Sequence, residues 1–212
     1  MKLDLHLHTR YSVDSLSNLK DIVRKCRELK IVPAITDHNT IGAHEPLRRM
    51  DFSFIPGEEI KTAEGDLIGL YLNEPIQKKT PFLEALDLIA GQGGLSCLPH
   101  MYDGMRHGVS ESELAKRVDI VEVFNPRCTF GWQNGKARKF AQENRKLMGA
   151  GGDSHFVREI GNTYVEVPEI DVSGPKGLKK ALEKGRIHGS RPGVSMRGAT
   201  TAVKLAKKIF RI

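Results

Sequence analysis

The sequence predicts an α/β protein with a mainly parallel sheet, and two observations carry that prediction. Short β-rich runs alternate with helical stretches from one end of the chain to the other, the pattern of strands joined by helical crossovers. About seven strand units can be counted by hydrophobic period, which leaves open a doubly wound sheet or a closed barrel. With 212 residues, a barrel would be trimmed or irregular, because eight full units take about 250 residues.

The elements follow in order. Lys2 to His8 alternates with period two and reads as a strand. Leu16, Leu19, Ile22, Val23, Cys26 and Leu29 form one helical stripe, with Ser15 or Ser17 as its cap. A strand at Val32 to Thr36 and a short helix near Ile41 to Met50 come next. Phe52 to Ile60 and Asp66 to Leu72 flank the turn Ala63-Glu64-Gly65 as a hairpin. Pro81 to Ala90 is a helix, Gly94 to Leu98 a buried strand, Ser110 to Arg117 a helix with Ser110 and Glu113 as capping pair, and Asp119 to Phe124 a strand. Helix Trp132 to Asn144, strands Leu147 to Gly151 and Thr163 to Val167, and helix Pro175 to Lys184 complete one domain, residues 1–195. The tail, residues 196–212, places Val203, Leu205, Ala206, Ile209 and Phe210 on one side. Lys204, Lys207, Lys208 and Arg211 fall largely on another, which predicts a basic amphipathic helix docked on the domain.

Composition excludes several classes. No apolar stretch nears the roughly 20 residues that span a bilayer, and mean hydropathy is −0.36. The first residues, MKLDLHLHTR, lack the apolar segment of a secretory signal. Three widely spaced cysteines, Cys26, Cys97 and Cys128, suit reduced thiols and a cytoplasmic location. A net charge of +7 attracts phosphate-bearing partners or marks a soluble surface. Neither a P-loop nor a dinucleotide fingerprint is present, since Gly91, Gly93 and Gly94 precede a strand.

Chemistry gathers at the strand ends. His6 and His8, two apart on the first strand, share a face. Later strands run into Thr36-Asp37-His38-Asn39, Pro56-Gly57-Glu58-Glu59, Leu98-Pro99-His100 and Gly152-Asp153-Ser154-His155. C-terminal strand ends of parallel α/β folds converge where ligands bind. Mixed nitrogen and oxygen donors without thiolate suit Zn, Mn or Fe, and their number implies two or three ions sharing a carboxylate. Asp37 and Glu58 alternate to the other side of their strands and read as orienting or structural partners. Cys97 lies in an apolar run and Cys128 lacks a spaced histidine, so a covalent nucleophile is not expected.

The segments DLHLHTRYSVDS, ITDHN, PGEEI, LPH and GGDSHF, spread over residues 4 to 156, resemble the signature of the PHP (polymerase and histidinol phosphatase) domain family of the amidohydrolase-like superfamily. The resemblance implies an irregular seven-stranded (β/α) TIM-like barrel, a trinuclear metal centre and phosphoesterase or nuclease activity. It implies His6, His8, Glu59 and Asp153 at the first ion, with Glu59 bridging. His100 would serve the second ion, and Asp14, His38 and His155 the third. Where many relatives carry a histidine after the bridging glutamate, this chain has Asp66, which either ligates or caps a turn. Glu122 either completes that second site or is a salt-bridged strand residue.

The expected reaction is hydrolysis of a small nucleotide-like or sugar-like phosphate monoester by metal-activated hydroxide. Arg106 and Arg127 would bind the phosphate, and His107 would protonate the leaving oxygen. One alternative is an exonuclease on single-stranded nucleic acid ends, supported by the basic tail but not by any visible aromatic platform. Another is an inactive basic interaction module, at odds with the intact ligand set.

Overall fold

Short apolar or alternating runs separated by turn residues build nine strands among the described residues, two more than the resemblance implies: β1 (Lys2–Leu7), β2 (Ile31–Ile35), β3 (Ile55–Lys61), β4 (Asp66–Leu70), β5 (Leu95–Leu98), β6 (Ile120–Phe124), β7 (Leu147–Ala150), β8 (Thr163–Glu166) and β9 (Arg186–Gly189). Among the same residues seven α-helices accompany them: α1 (Leu19–Leu29), α2 (His44–Arg48), α3 (Phe82–Gly91), α4 (Ser112–Ala115), α5 (Gly131–Glu143), α6 (Pro175–Leu182) and α7 (Ser195–Phe210). This computed structural model describes residues 1–190 and 195–210, and within α7 the side chains of residues 200–209. The Phe210 side chain and Arg211, both part of the expected tail pattern, lie outside the described residues.

The strands form one sheet in the order β7-β6-β5-β4-β3-β2-β1-β8-β9. β1, β2 and β3 are parallel neighbours, as are β5, β6 and β7. β3/β4 is the expected hairpin, and β4/β5, β1/β8 and β8/β9 are also antiparallel, so the sheet is mixed rather than mainly parallel. The β7 edge curls back toward β1. Leu7 bridges to Ser154 just past β7, and the His8 N–H donates to the Ser154 carbonyl at 3.0 Å. The result is an α/β fold with a nearly closed, barrel-like sheet.

Eight of the nine correspond to runs read from the sequence, and the ninth escaped it for a local reason. β9 reads Arg-Ile-His-Gly and is largely exposed, so it has no apolar run to announce it. Two caps also differ from expectation. Asn18 caps α1 by accepting from the Asp21 N–H at 3.0 Å. The Ser15 and Ser17 hydroxyls donate instead to the His155 carbonyl at 2.8 and 2.9 Å, and Leu16 lies outside the helix, 55% exposed. α4 is a single turn preceded by Glu111, without the Ser110 cap.

Three apolar clusters carry the stability. Ile22, Val23, Cys26 and Leu47 bind α1 and α2 to Leu7 and Ile35. Phe82, Ala85, Ile89, Ala137, Phe140 and Ala141 pack α3 and α5 on β3 to β6. Leu178, Ala181 and Leu182 of α6 join Leu3, Leu5, Ile120, Ala150 and Val165. Each fully buried aliphatic or aromatic side chain contributes about 1.5–3 kcal/mol. All three cysteines are free and buried.

α7 touches the body of the protein through polar groups. Lys207 Nζ donates to the carbonyls of Arg10 and Ser12 at 2.6 and 2.7 Å, and Arg127 Nη2 donates to Thr200 Oγ1 at 3.0 Å. Val203 and Ala206 are partly buried. Leu205 and Ile209, expected on the docked side, are 59% and 63% exposed. No described helix is long and apolar enough to cross a membrane.

Candidate metal centre

The fold brings the nine expected ligand residues together. Donor atoms of eight of them, all but Asp14, fall into three groups, each within 4.8 Å: His6, His8 and Asp153; His8, His38 and His155; and Glu59, Asp66 and His100. Glu59 ties the groups together. Its Oε2 lies 3.3 Å from both His6 Nε2 and His8 Nε2 and 2.9 Å from His38 Nδ1, while Oε1 lies 3.0 Å from His100 Nε2. Asp14 reaches His155 Nε2 at 3.2 Å and His38 Nε2 at 3.4 Å. β1 and β2 shift register between Asp4 and Leu7, beside the two β1 histidines, as bulges next to active sites do. His100 and Asp153 adopt positive φ, 31° and 48°, a strain that folds retain where a side chain must be aimed.

The partners behind the imidazoles fix which nitrogen faces the centre. His6 Nδ1 meets Glu122 Oε1 at 3.1 Å, and an ionised carboxylate only accepts, so Nδ1 carries the proton and Nε2 is left as a ligand. His8 Nδ1 meets Ser12 Oγ at 2.9 Å, and that hydroxyl spends its own proton on Asp37 Oδ1. His155 Nδ1 donates to the Asp153 carbonyl at 2.8 Å. His6 Nε2 and His8 Nε2 stand 3.1 Å apart, a spacing that a shared cation would satisfy in place of a proton between them.

A metal cluster fits these residues. Glu59 Oε2, Asp153 Oδ1, Asp14 Oδ1 and His100 Nδ1 are buried without a hydrogen-bond partner, and such groups cost roughly 1–3 kcal/mol each unless something binds them. The titration behaviour agrees. Burial alone would raise Glu59, but His38 and His6 pull it well below the usual carboxylate range. Burial is likewise overcome at Asp153, which Arg106 and His6 hold far down. Burial, His155 and His38 push His8 down to about 3. Against burial, the same carboxylates hold His6 and His38 well above the usual imidazole range, and a divalent cation bound to ionised carboxylates would take the place of those protons.

Asp66 lies among the candidate donors. Its side chain joins Glu59 and His100, and among the described residues it accepts no hydrogen bond from the turn. Burial and the neighbouring Glu59 raise its pKa to about 6. Glu122 is not a member of the donor groups: it holds His6 Nδ1, the His100 N–H at 2.8 Å and Asn125 Nδ2 at 2.9 Å. Asp37 binds Thr9 and Ser12, and Glu58 accepts from the Ile76 N–H, as structural partners.

A cavity of about 310 Å³ opens over the cluster, lined by Asp14, His38, Glu59, Asp66, Lys61, Arg106, His107 and Lys204 among others. Arg106 Nη2 donates to Asp153 Oδ2, and its Nη1 is buried without a partner. His107 sits exposed on the rim and accepts from Lys61 Nζ at 3.0 Å; burial and Lys61 lower its pKa. The charged donor there is therefore Lys61, a residue that no sequence signal singled out. Arg127 is the clearest departure from expectation. It is 4% exposed, does not line the cavity, and spends its guanidinium on Glu159 Oε1 at 2.8 Å and on Thr200. Phe130 and Trp132, at the start of α5, form an exposed stacked pair with centroids 6.4 Å apart, an aromatic surface not visible in the sequence.

The curled α/β sheet that carries this His/Asp/Glu cluster at its strand ends is the fold shared with solved structures described as PHP-like metal-dependent phosphoesterases. The PHP domain model matches residues 4–89 and the PHP-associated model residues 131–187; the chain belongs to the PHP domain family. It is 41% identical over 186 residues to the uncharacterized protein MJ0417 of Methanocaldococcus jannaschii, covering 84% of this chain and 75% of that one. A second uncharacterized protein of that organism, MJ1587, is 37% identical over 140 residues, 59% of this chain and 82% of that one. Among solved structures, PsfC from Pseudomonas syringae superposes with a TM-score of 0.65 at 11% identity, covering 99% and 98% of the two chains. A two-domain Bacteroides vulgatus protein containing a predicted PHP-like metal-dependent phosphoesterase gives 0.62 at 16% identity, covering 89% of this chain and 64% of that one. An amidohydrolase from Chromobacterium violaceum with bound sulfate and no metal gives 0.62 at 15%, covering 92% and 100%.

Proposed function

We propose that this chain hydrolyses a small phosphate monoester, held between two or three divalent cations and the guanidinium of Arg106. The observation that carries the reading is the juxtaposition, in one cavity, of donor groups joined by Glu59 with the unpartnered Arg106 Nη1. His6, His8, Glu59 and Asp153 would hold one ion, His100, Asp66 and Glu59 a second, and Asp14, His38 and His155 a third. Bound there, Zn, Mn or Fe would acidify a water and neutralise phosphoryl charge. Four carboxylates in the cluster would repel a phosphate if no cation balanced them, so the same residues that bind metal also make phosphate binding conditional on it.

The chain's own groups divide the remaining work. Arg106 offers Nη1 to a phosphoryl oxygen while Asp153 holds Nη2. Lys61 and His107 face the leaving-group side as a hydrogen-bonded pair, with the transferable proton on Lys61 and His107 neutral. Arg127 positions His155 through Glu159, whose Oε2 accepts from the His155 N–H at 2.9 Å. Sulfate bound in the Chromobacterium violaceum structure supports a tetrahedral anion as ligand of this fold. The exposed Phe130 and Trp132 pair favours a second reading, an exonuclease on single-stranded ends, because stacked aromatics receive bases.

The test is a panel of histidinol phosphate, nucleoside mono- and bisphosphates and 5′-phosphorylated oligonucleotides, assayed with added Mn or Zn. Phosphate release from a monoester, abolished in Asp153→Ala and depressed in Arg106→Ala, is the expected result. Unchanged turnover in both His8→Ala and Asp153→Ala would overturn the mechanism, and activity on oligonucleotides alone would replace the substrate.

A further inference from the structure

Asp4, on β1, is a carboxylate that the proposed chemistry does not use, and it is 0% exposed. Burying a carboxylate is costly unless polar partners offset the lost hydration. Its Oδ1 accepts two backbone hydrogen bonds, from the His6 N–H at 3.2 Å and from the Gly152 N–H at 2.8 Å. The first N–H lies in the stretch where β1 and β2 lose register, and the second lies past the end of β7. β7 is an edge of the sheet and pairs with β6, so no ladder among the described residues ties it to β1. Two contacts that cross this seam are the Leu7 bridge to Ser154 and the Asp4 carboxylate. The residues that Asp4 joins flank the first candidate ion. His6 is itself a donor, and Gly152 immediately precedes Asp153, whose Oδ1 stands 3.9 Å from His6 Nε2 and 3.5 Å from His8 Nε2. Asp153 has a φ of 48°, a backbone state that its surroundings must hold. The approach of Asp4 also requires glycine at 152, since an added Cβ would stand 2.9 Å from Asp4 Oδ2 and 2.5 Å from Ser154 Oγ.

We infer that Asp4 is a positioning residue for the metal centre. By accepting from both N–H groups, it fixes the His6 segment of β1 against the Gly152-Asp153 segment and so sets the separation of the donors at the first ion. This rests on the metal-centre reading and adds to it a residue that touches neither ion nor substrate. The role needs an acceptor oxygen at that place rather than a charge, and an asparagine Oδ1 supplies one. The amide nitrogen would then replace Asp4 Oδ2, which is buried without a partner on the side of Gly152 where Ser154 Oγ is also without one.

Calorimetric titration of the full chain, stripped of metal, with Mn(II) tests this without depending on turnover. The proteins are wild type, His6→Ala, Asp4→Ala, Asp4→Asn and Gly152→Ala, each checked for folding by circular dichroism. Asp4→Ala should bind one ion about 10–100-fold more weakly, the usual cost of losing a ligand's support, and it should be the ion that His6→Ala removes. Asp4→Asn should bind close to wild type. Gly152→Ala, whose Cβ displaces Asp4, should weaken the same ion. A purely structural role would lower the Tm of Asp4→Ala and leave the metal affinity of the folded protein unchanged, which overturns the positioning role. An Asp4→Asn protein as weak as Asp4→Ala overturns it too, because the charge would then be what matters. Should Asp4→Ala fail to fold, the other two variants decide: affinity kept in Asp4→Asn and lost in Gly152→Ala supports the role, and any other pair of results overturns it. A wild-type chain that binds no metal removes the metal-centre reading and the role of Asp4 together. Selective loss in Asp4→Ala, in a protein that hydrolyses no phosphate ester, removes the substrate reading alone.

Discussion

Replacing Arg127 by methionine separates a positioning role from a substrate-binding role. The side chain is 4% exposed and pairs with Glu159, itself 5% exposed, at 2.8 Å. Removing one partner of a buried pair costs about 3–5 kcal/mol, because the other charge stays buried and uncompensated. Glu159 keeps two hydrogen bonds, from the N–H groups of His155 and Phe156 at 2.9 and 3.0 Å, which places the expected loss near the lower bound, about 3 kcal/mol. For a chain of this size each kcal/mol lowers Tm by about 2–4 °C, so Arg127→Met should melt about 6–12 °C below wild type. Adding Glu159→Gln removes the stranded charge and should restore part of the loss. Circular dichroism melts provide the assay. An unchanged Tm together with a raised KM for phosphate esters would refute the reasoning and return Arg127 to the substrate.

Two further predictions rest on close packing and on burial. At Gly151 an added Cβ would stand 2.2 Å from His6 Cβ and 2.7 Å from Glu122 Oε1. Gly151→Ala should therefore displace His6 and weaken metal binding about 10–100-fold, the usual cost of disturbing a ligand's support, and a metal titration with unchanged affinity would contradict it. His44 is 2% exposed, accepts from the Gly57 N–H at 3.2 Å, and burial lowers its pKa. A histidine depressed in the folded state takes up its proton first in the unfolded chain, so its stabilising effect is present above about pH 6.5 and is lost as pH falls below it. Urea unfolding between pH 7.5 and 5 should show a shallower decline for His44→Gln than for wild type; parallel curves would exclude the effect.

The sequence made most of this fold legible because its strands are short apolar runs bounded by ligand or turn residues. It also made the gathering of candidate donors legible, since His6 lies on β1 with His8 just past its end and most of the others follow strand ends. What it could not carry are contacts between segments distant in the chain. Glu122 faces His6 across 116 residues, and Arg127 faces Glu159 across 32. Arginine beside a presumed phosphate site reads as a phosphate ligand until a buried partner is seen. Lys61 escaped notice because a lysine ending a hairpin strand looks like any surface cation. Leu205 and Ile209 misled the placement of α7, because an amphipathic stripe says which side is apolar but not whether the docking contacts are apolar.

The central claim is that histidines and carboxylates from separate strands jointly bind several divalent cations. Elemental analysis of the protein after Mn or Zn reconstitution and removal of unbound metal measures this directly, with Glu59→Ala as comparison. Two or three ions per wild-type chain and a loss of at least one in Glu59→Ala are predicted. A wild-type chain without stoichiometric metal would contradict the account.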